Sequence, residues 1–175
     1  SNLEALDDAT KLQITELCGH YTFSNDDVAK EIDKLDENGV KYEDATCPFV
    51  KKIHNIVANP DNKDGIVLIA GNSVHPEVEG IIGHCSTECH TFKNSEEIDE
   101  IYNIVLKKNN KQVFVVAQTT FDTKEWKKCV KKIKKLCTNA KIFDTICNAT
   151  WARQQEAEDL SQKCDHMVVI GGHHS

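Results

Sequence analysis

The chain has 175 residues, 39% hydrophobic and 28% charged, with a formal net charge of −7 at pH 7. That length suits one domain or two small ones, and the composition suits a soluble protein with one real core. The longest apolar runs, such as 65–71, are strand-sized, which argues against a membrane span, and the acidic balance argues against nucleic acid, whose phosphates want a basic footprint.

Along the chain, strand and helix patterns alternate. Val28, Ile32 and Leu35 lie at helical spacing, and Gly39 is a good C-terminal stop. Residues 40–45 read as a strand. Pro48 opens the next helix, with Val50, Ile53 and Val57 on one face. Residues 59–62 form a turn cluster. Ile66–Ala70 is a buried strand, and a helix starts at Pro76. Residues 95–108 form the clearest helix: Ile98, Ile101, Tyr102 and Val105 make its stripe, with acids first and lysines last, as the helix dipole favours. Val113–Ala117 is a strand, Thr123–Leu136 a helix, 141–144 a strand, 149–162 a helix and 167–170 a last strand. Strands separated by helices predict a parallel sheet with right-handed crossovers.

Asp44-Ala45-Thr46-Cys47 and Asp144-Thr145-Ile146-Cys147 echo each other, each between a strand and a helix. Open α/β sheets bind ligands at the carboxyl ends of their strands. Five such ends carry polar or reactive residues: Cys47, 72–75, 118–120, Cys147 and 171–175. One site built from several strand ends is the simplest account. Eight cysteines and eight histidines in a chain of regular elements, with no signal-peptide pattern, suit cytosolic thiols better than a secreted disulfide scaffold.

Cys47 and Cys147 each precede a predicted helix, where the dipole favours a thiolate, the form iron or zinc needs; the alternative is a buried structural cysteine. His75-Pro76-Glu77 at another junction puts an anion ligand and a proton carrier in one pocket, or else is a helix-start carboxylate beside a surface histidine. Gln118-Thr119-Thr120 offers hydroxyls and an amide, although threonine also caps helices.

Asp44 to Lys52, His75-Pro76-Glu77-Val78-Glu79-Gly80, Gln118-Thr119-Thr120, Cys147-Asn148-Ala149-Thr150 with Arg153-Gln154, and Val168-Val169-Ile170-Gly171-Gly172 follow one another in an order and spacing that resembles the 4-hydroxy-3-methylbut-2-enyl diphosphate reductase family, also called IspH/LytB or penicillin-tolerance proteins. The resemblance runs from about Gly39 to Ser175. It implies a three-lobed α/β architecture around a [4Fe–4S] cluster, held by one cysteine from each lobe, with one iron open to the substrate hydroxyl. Cys47 and Cys147 resemble the second and third of those ligands. The implied reaction is a two-electron, two-proton removal of the hydroxyl, giving isopentenyl and dimethylallyl diphosphate. Glu77 resembles the proton-delivering acid, His75 a diphosphate ligand that aids proton transfer, and Thr119 the hydroxyl beside substrate and Glu77. Thr120, Thr150 and Ser175 stand where substrate-site hydroxyls occur. The implied electron donor is a ferredoxin or flavodoxin.

The sequence departs from the family at both ends. The motif that carries the first cluster cysteine is missing, a family histidine before Cys47 falls in register on Asn25, and the chain stops where a Ser-Ser-Asn stretch begins. Cys18-Gly19-His20 matches neither the spacing nor the neighbours of the missing motif. The expectation is a remnant of the first lobe at 1–47, a second lobe at 48–143 and a truncated third lobe at 144–175. Such a chain is expected to hold no stable cluster alone.

Two rival signals remain. His84-Cys85-x-x-x-Cys89-His90 offers four nitrogen and sulfur ligands to zinc, or is ordinary helix-end and loop sequence. Lys124, Lys127, Lys128, Lys131, Lys132, Lys134 and Lys135 make one helix basic, either as a solvated face or as a dock for an acidic electron carrier. The different-class alternative to a cytoplasmic reductase is an inactive fragment or a structural zinc-binding module.

Overall fold

Two five-residue strands, β1 (Ile66–Ala70) and β3 (Val113–Ala117), are buried at every position in the computed structural model, which describes residues 34–41, 46–59, 64–106 and 111–170. An apolar run without alternation is what a strand covered on both faces requires. The two pair in parallel from Ile66↔Val113 to Ala70↔Ala117. β2 (Cys89–Phe92) lies parallel outside β1, and β4 (Ala140–Ile142) lies parallel outside β3, giving the order β2-β1-β3-β4.

Alternate strand positions sort the core into two halves. Val67, Ile69, Phe114 and Val116 pack with Ile53 and Val57 of α1 (Pro48–Val57) and with Val78 and Ile81 of α2 (Pro76–Gly83). On the other face Ile66, Leu68, Val113 and Val115 pack with Ile98 of α3 (Glu97–Ile101) and with Trp126, Cys129 and Ile133 of α4 (Thr123–Leu136). Travel from β1 to β2 runs one way across the sheet, and travel from β2 to β3 and β4 runs the other. Right-handed crossovers therefore send α2 to one face and α3 and α4 to the other. The chain leaving β1 and the chain leaving β3 diverge, and the gap between those two carboxyl ends is the switch point where open α/β sheets take ligands.

Local chemistry sets the helix ends. Pro48 and Pro76 open α1 and α2, where a missing N–H loses nothing. Asp122 caps α4 by accepting from the Glu125 N–H. Gly39 adopts φ 65° just past a helical stretch at 34–37, the conformation a helix stop wants. The Ser86 N–H bonds the Val57 carbonyl at 3.2 Å, just before β2 begins. The last turn of α1 thus lies at the amino edge of the sheet.

The parallel α/β architecture expected from the sequence is present, with differences in detail. β2 is an element the periodicity did not reveal, because four residues are too few to show a period. The helix expected at 95–108 is α-helical over Glu97–Ile101 and then widens into a π-turn at Tyr102–Leu106; residues 107–108 lie outside the described residues. Val40 and Lys41 are not in a strand, and the rest of that expected strand is not described. The strand expected at 167–170 is absent: these residues pair with no neighbour and are exposed, Ile170 by 94%. A strand exists only through a partner's ladder, and β propensity alone does not make one.

Candidate functional site

The site is assembled at the carboxyl edge, starting with the exit from β1. A Cβ on Gly71 would lie 2.6 Å from Val78 Cγ2 and 3.0 Å from Gln118 Oε1, so only glycine lets β1 pass this closely between α2 and the exit of β3. The chain then turns, and His75 becomes the N-cap of α2: its Nδ1 accepts from the Glu77 N–H at 3.1 Å. In the neutral ring this bond fixes the proton on Nε2, which leaves Nε2–H as the donor for an anion. Glu77 sits in the first turn of α2, where the helix dipole favours a carboxylate.

Glu77 bridges the switch point. Its Oε1 accepts from the Thr119 N–H at 2.6 Å and its Oε2 from the Thr119 hydroxyl at 2.7 Å. Thr119 is only 7% exposed, so the pair is held in a partly dry setting where charge-assisted bonds are strong. The Thr119 carbonyl in turn accepts from the Cys147 N–H at 2.9 Å. Gln118 Nε2 donates to the Thr120 hydroxyl at 2.7 Å, turning that side chain to the same edge.

Cys147 is the N-cap of α5 (Asn148–Ser161), and Cys47 is the N-cap of α1; neither side chain makes a capping hydrogen bond. Thr150 follows in the first turn of α5. The structure therefore links His75, Glu77, Thr119 and Cys147 through one run of bonds, with Thr120 following Thr119 and Thr150 in the first turn of α5, while Cys47 stands at the start of α1, outside this run. Ser175 lies outside the described residues.

Sequence reasoning missed Thr145. Its hydroxyl accepts from the Ala117 N–H at 2.8 Å and donates to the Ala117 carbonyl at 2.7 Å, although the ladder of β4 ends at Ile142. One buried side chain thereby continues the strand pairing and pins the approach to Cys147 against the end of β3. The available signal was positional: two residues before Cys147, in phase with the strand, a threonine can replace backbone partners.

Among the described residues, no three His, Cys, Asp or Glu side chains gather as a metal site. The zinc reading of residues 84–90 fails for a visible reason. His84 Nδ1 is 2.8 Å from the Gly80 carbonyl and its ring stacks on His54 at 3.9 Å, while His90 Nε2 turns to Glu88 Oε1 at 3.0 Å. The lysine face of α4 is partly neutralised: Lys124, Lys128 and Lys132 pair with Glu158, Glu125 and Asp99. Lys127, Lys131, Lys134 and Lys135 are exposed.

A parallel sheet thus carries a carboxylate and a histidine at its switch point, with the Cys147 backbone bonded in through the Thr119 carbonyl, which defines the class as an open parallel α/β protein. The chain belongs to the LytB family: the family model described as LytB protein matches residues 26–175. It is 40% identical over 149 residues to 4-hydroxy-3-methylbut-2-enyl diphosphate reductase of Thermoanaerobacter pseudethanolicus, covering 85% of this chain and 50% of that protein. It is 36% identical over 143 residues to the Helicobacter pylori reductase, covering 82% and 50%. The solved reductase from Plasmodium falciparum superposes with a TM-score of 0.63 at 32% identity, over 75% of this chain and 41% of that one. A second solved reductase, described as the terminal enzyme of the non-mevalonate pathway, gives 0.58 at 33% identity, over 83% and 51%. The chain spans about half the length of the curated relatives it matches.

Proposed function

We propose that this chain carries the proton-delivering and diphosphate-gripping part of a reductive dehydroxylation, converting 4-hydroxy-3-methylbut-2-enyl diphosphate to isopentenyl and dimethylallyl diphosphate. The observation that carries the reading is the two-pronged Glu77–Thr119 bond across the switch point, with His75 fixed beside it. The names of the relatives support the substrate class.

In this reading His75 Nε2–H and the hydroxyls of Thr120, Thr150 and Ser175 donate to the diphosphate oxygens. Removing a hydroxyl as water needs a proton at the leaving oxygen. Thr119 supplies the path. With Glu77 ionised, the Thr119 hydroxyl donates to it. Once Glu77 takes up a proton, the same hydroxyl can accept from Oε2 and turn its own proton to the leaving oxygen, so Glu77 is the acid and Thr119 the relay.

The family's [4Fe–4S] cluster with one open iron needs three protein thiolates, and the described residues do not make that site by themselves. Cys47, at the boundary into the lobe at 48–143, and Cys147, in the lobe that starts at 144, are the two thiols this chain would offer it. Electrons come from a ferredoxin or flavodoxin, for which Lys127, Lys131, Lys134 and Lys135 are the available positive charges.

Calorimetric titration of the chain with 4-hydroxy-3-methylbut-2-enyl diphosphate tests the reading. The expected result is saturable binding that weakens about tenfold in His75→Ala, the loss of one charge-assisted donor, and is unchanged in Lys131→Ala. No binding, or equal binding by the His75 variant, removes it.

A further inference from the structure

At the opposite, amino edge of the sheet, α2 ends and β2 begins. Cys85 follows the last turn of α2 and Cys89 opens β2; both are half-buried against the core half that contains Val67 and Val78. Only three residues separate the two thiols, which pack against the same apolar cluster, and the Cys85 thiol donates to the Ile81 carbonyl at 3.3 Å. The three residues between them are tied at every position. Ser86 N and Oγ bond the Val57 carbonyl at 3.2 and 3.3 Å, Thr87 Oγ1 bonds the Gly65 carbonyl at 2.6 Å, and the Glu88 carbonyl accepts from the Val67 N–H at 2.9 Å. The fold has already ordered this loop, so joining the two sulfurs would lose little further chain entropy.

From this geometry we infer that Cys85 and Cys89 form a redox dithiol, oxidised to an intramolecular disulfide by exchange with a small-molecule disulfide. The Cys89 thiolate attacks one sulfur of the small disulfide, a mixed disulfide forms and one small thiol leaves. The Cys85 thiolate then attacks Cys89 Sγ, the Cys85–Cys89 bond forms and the second small thiol leaves. The protein loses two electrons and two protons, and the small disulfide gains both. The sulfurs have suitably unequal roles. The neighbouring Cys85 thiol lowers the Cys89 thiol, the direction that favours a thiolate there as the attacking group. Cys89 in turn, with burial, raises Cys85, which keeps its proton until the mixed disulfide forms. The bond would tie the end of α2, the helix whose other end carries His75 and Glu77, to the start of β2.

The test equilibrates the 175-residue chain with reduced and oxidised glutathione over a range of ratios, quenches with acid, alkylates, digests and weighs the peptides. The expected result is a single transition in which the peptide holding both residues loses two hydrogens and carries no adduct. In Cys85→Ser, glutathione is expected to stay on Cys89 at least about tenfold longer than in the parent chain, because the resolving thiol is gone. In Cys89→Ser, glutathione uptake at Cys85 is expected to be at least about tenfold slower than the parent's first exchange at Cys89. A parent chain in which both residues stay reduced at every ratio, or in which the Cys89 adduct accumulates unresolved, overturns the inference, and equally fast uptake at Cys85 in Cys89→Ser overturns the assigned order of attack.

Discussion

Two strand-to-helix junctions supply the site, and they are built differently. At the junction after β1, the His75 side chain caps α2, and Val78, Gly80 and Ile81 bury the helix against the sheet. At the junction after β4, Cys147 caps nothing with its side chain and α5 has no buried residue. What holds α5 is polar. Gln154 accepts from the Thr123 N–H at 3.0 Å and donates to the Phe121 carbonyl at 3.1 Å, and Lys124 pairs with Glu158. The carboxylate side of the site is thus set by packing and the Cys147 side by hydrogen-bond clips. Packing against a close-packed core resists displacement steeply, whereas part-buried and exposed polar clips exchange with water for a small net loss.

The comparison can be broken by substitution. Ile69→Ala empties a fully buried position under α2 and is expected to lower unfolding stability by about 2–5 kcal/mol in urea titrations. Thr145→Val keeps the shape but leaves the Ala117 N–H and carbonyl without their partner; about 1–3 kcal/mol should go, with recovery in Thr145→Ser. Gln154→Ala removes two clips at about 1 kcal/mol or less in all, yet it should speed amide exchange throughout α5 while leaving α2 unchanged. Equal acceleration in both helices would erase the distinction. Leu160→Ala, on the exposed side of α5, should shift stability by under about 0.5 kcal/mol.

A pH effect belongs to the first turn of α4. Glu125 accepts from Lys128 Nζ at 2.9 Å and from the Ser95 N–H at 2.7 Å, and these bonds hold its carboxyl down at about 2. Its folded value lies below the unfolded one, so its stabilisation is complete above about pH 4.5 and fades as pH falls toward 2. Glu125→Gln should flatten that part of the acid-denaturation curve by lowering stability above about pH 4.5, while matching the parent chain near pH 2.

Much of this was legible beforehand where one signal decided the outcome. The uniform apolar runs of β1 and β3 can only be strands covered on both faces, and the prolines at 48 and 76 mark helix starts. The lysine-rich helix was legible over its whole length because its apolar stripe is long enough to show a period. The carboxylate side was half legible: His75 and Glu77 stood out as chemistry, but that His75 caps the helix and that Glu77 reaches Thr119 are long-range facts of the sheet order. β2, Thr145 and the apolar run at 167–170 were not legible, because each depends on whether a neighbouring strand is there to pair. Composition at 167–170 says strand, and the absence of a ladder decides otherwise.

The central claim is that Glu77 and Thr119, joined across the gap between β1 and β3, form the ligand-binding point of this chain. The most direct test follows the backbone amide signals of the ¹⁵N-labelled protein while 4-hydroxy-3-methylbut-2-enyl diphosphate is added. The account predicts saturable shifts at Thr119, Glu77 and Cys147, lost in Glu77→Ala. Shifts confined to the lysines of α4, with Thr119 unmoved, would contradict it.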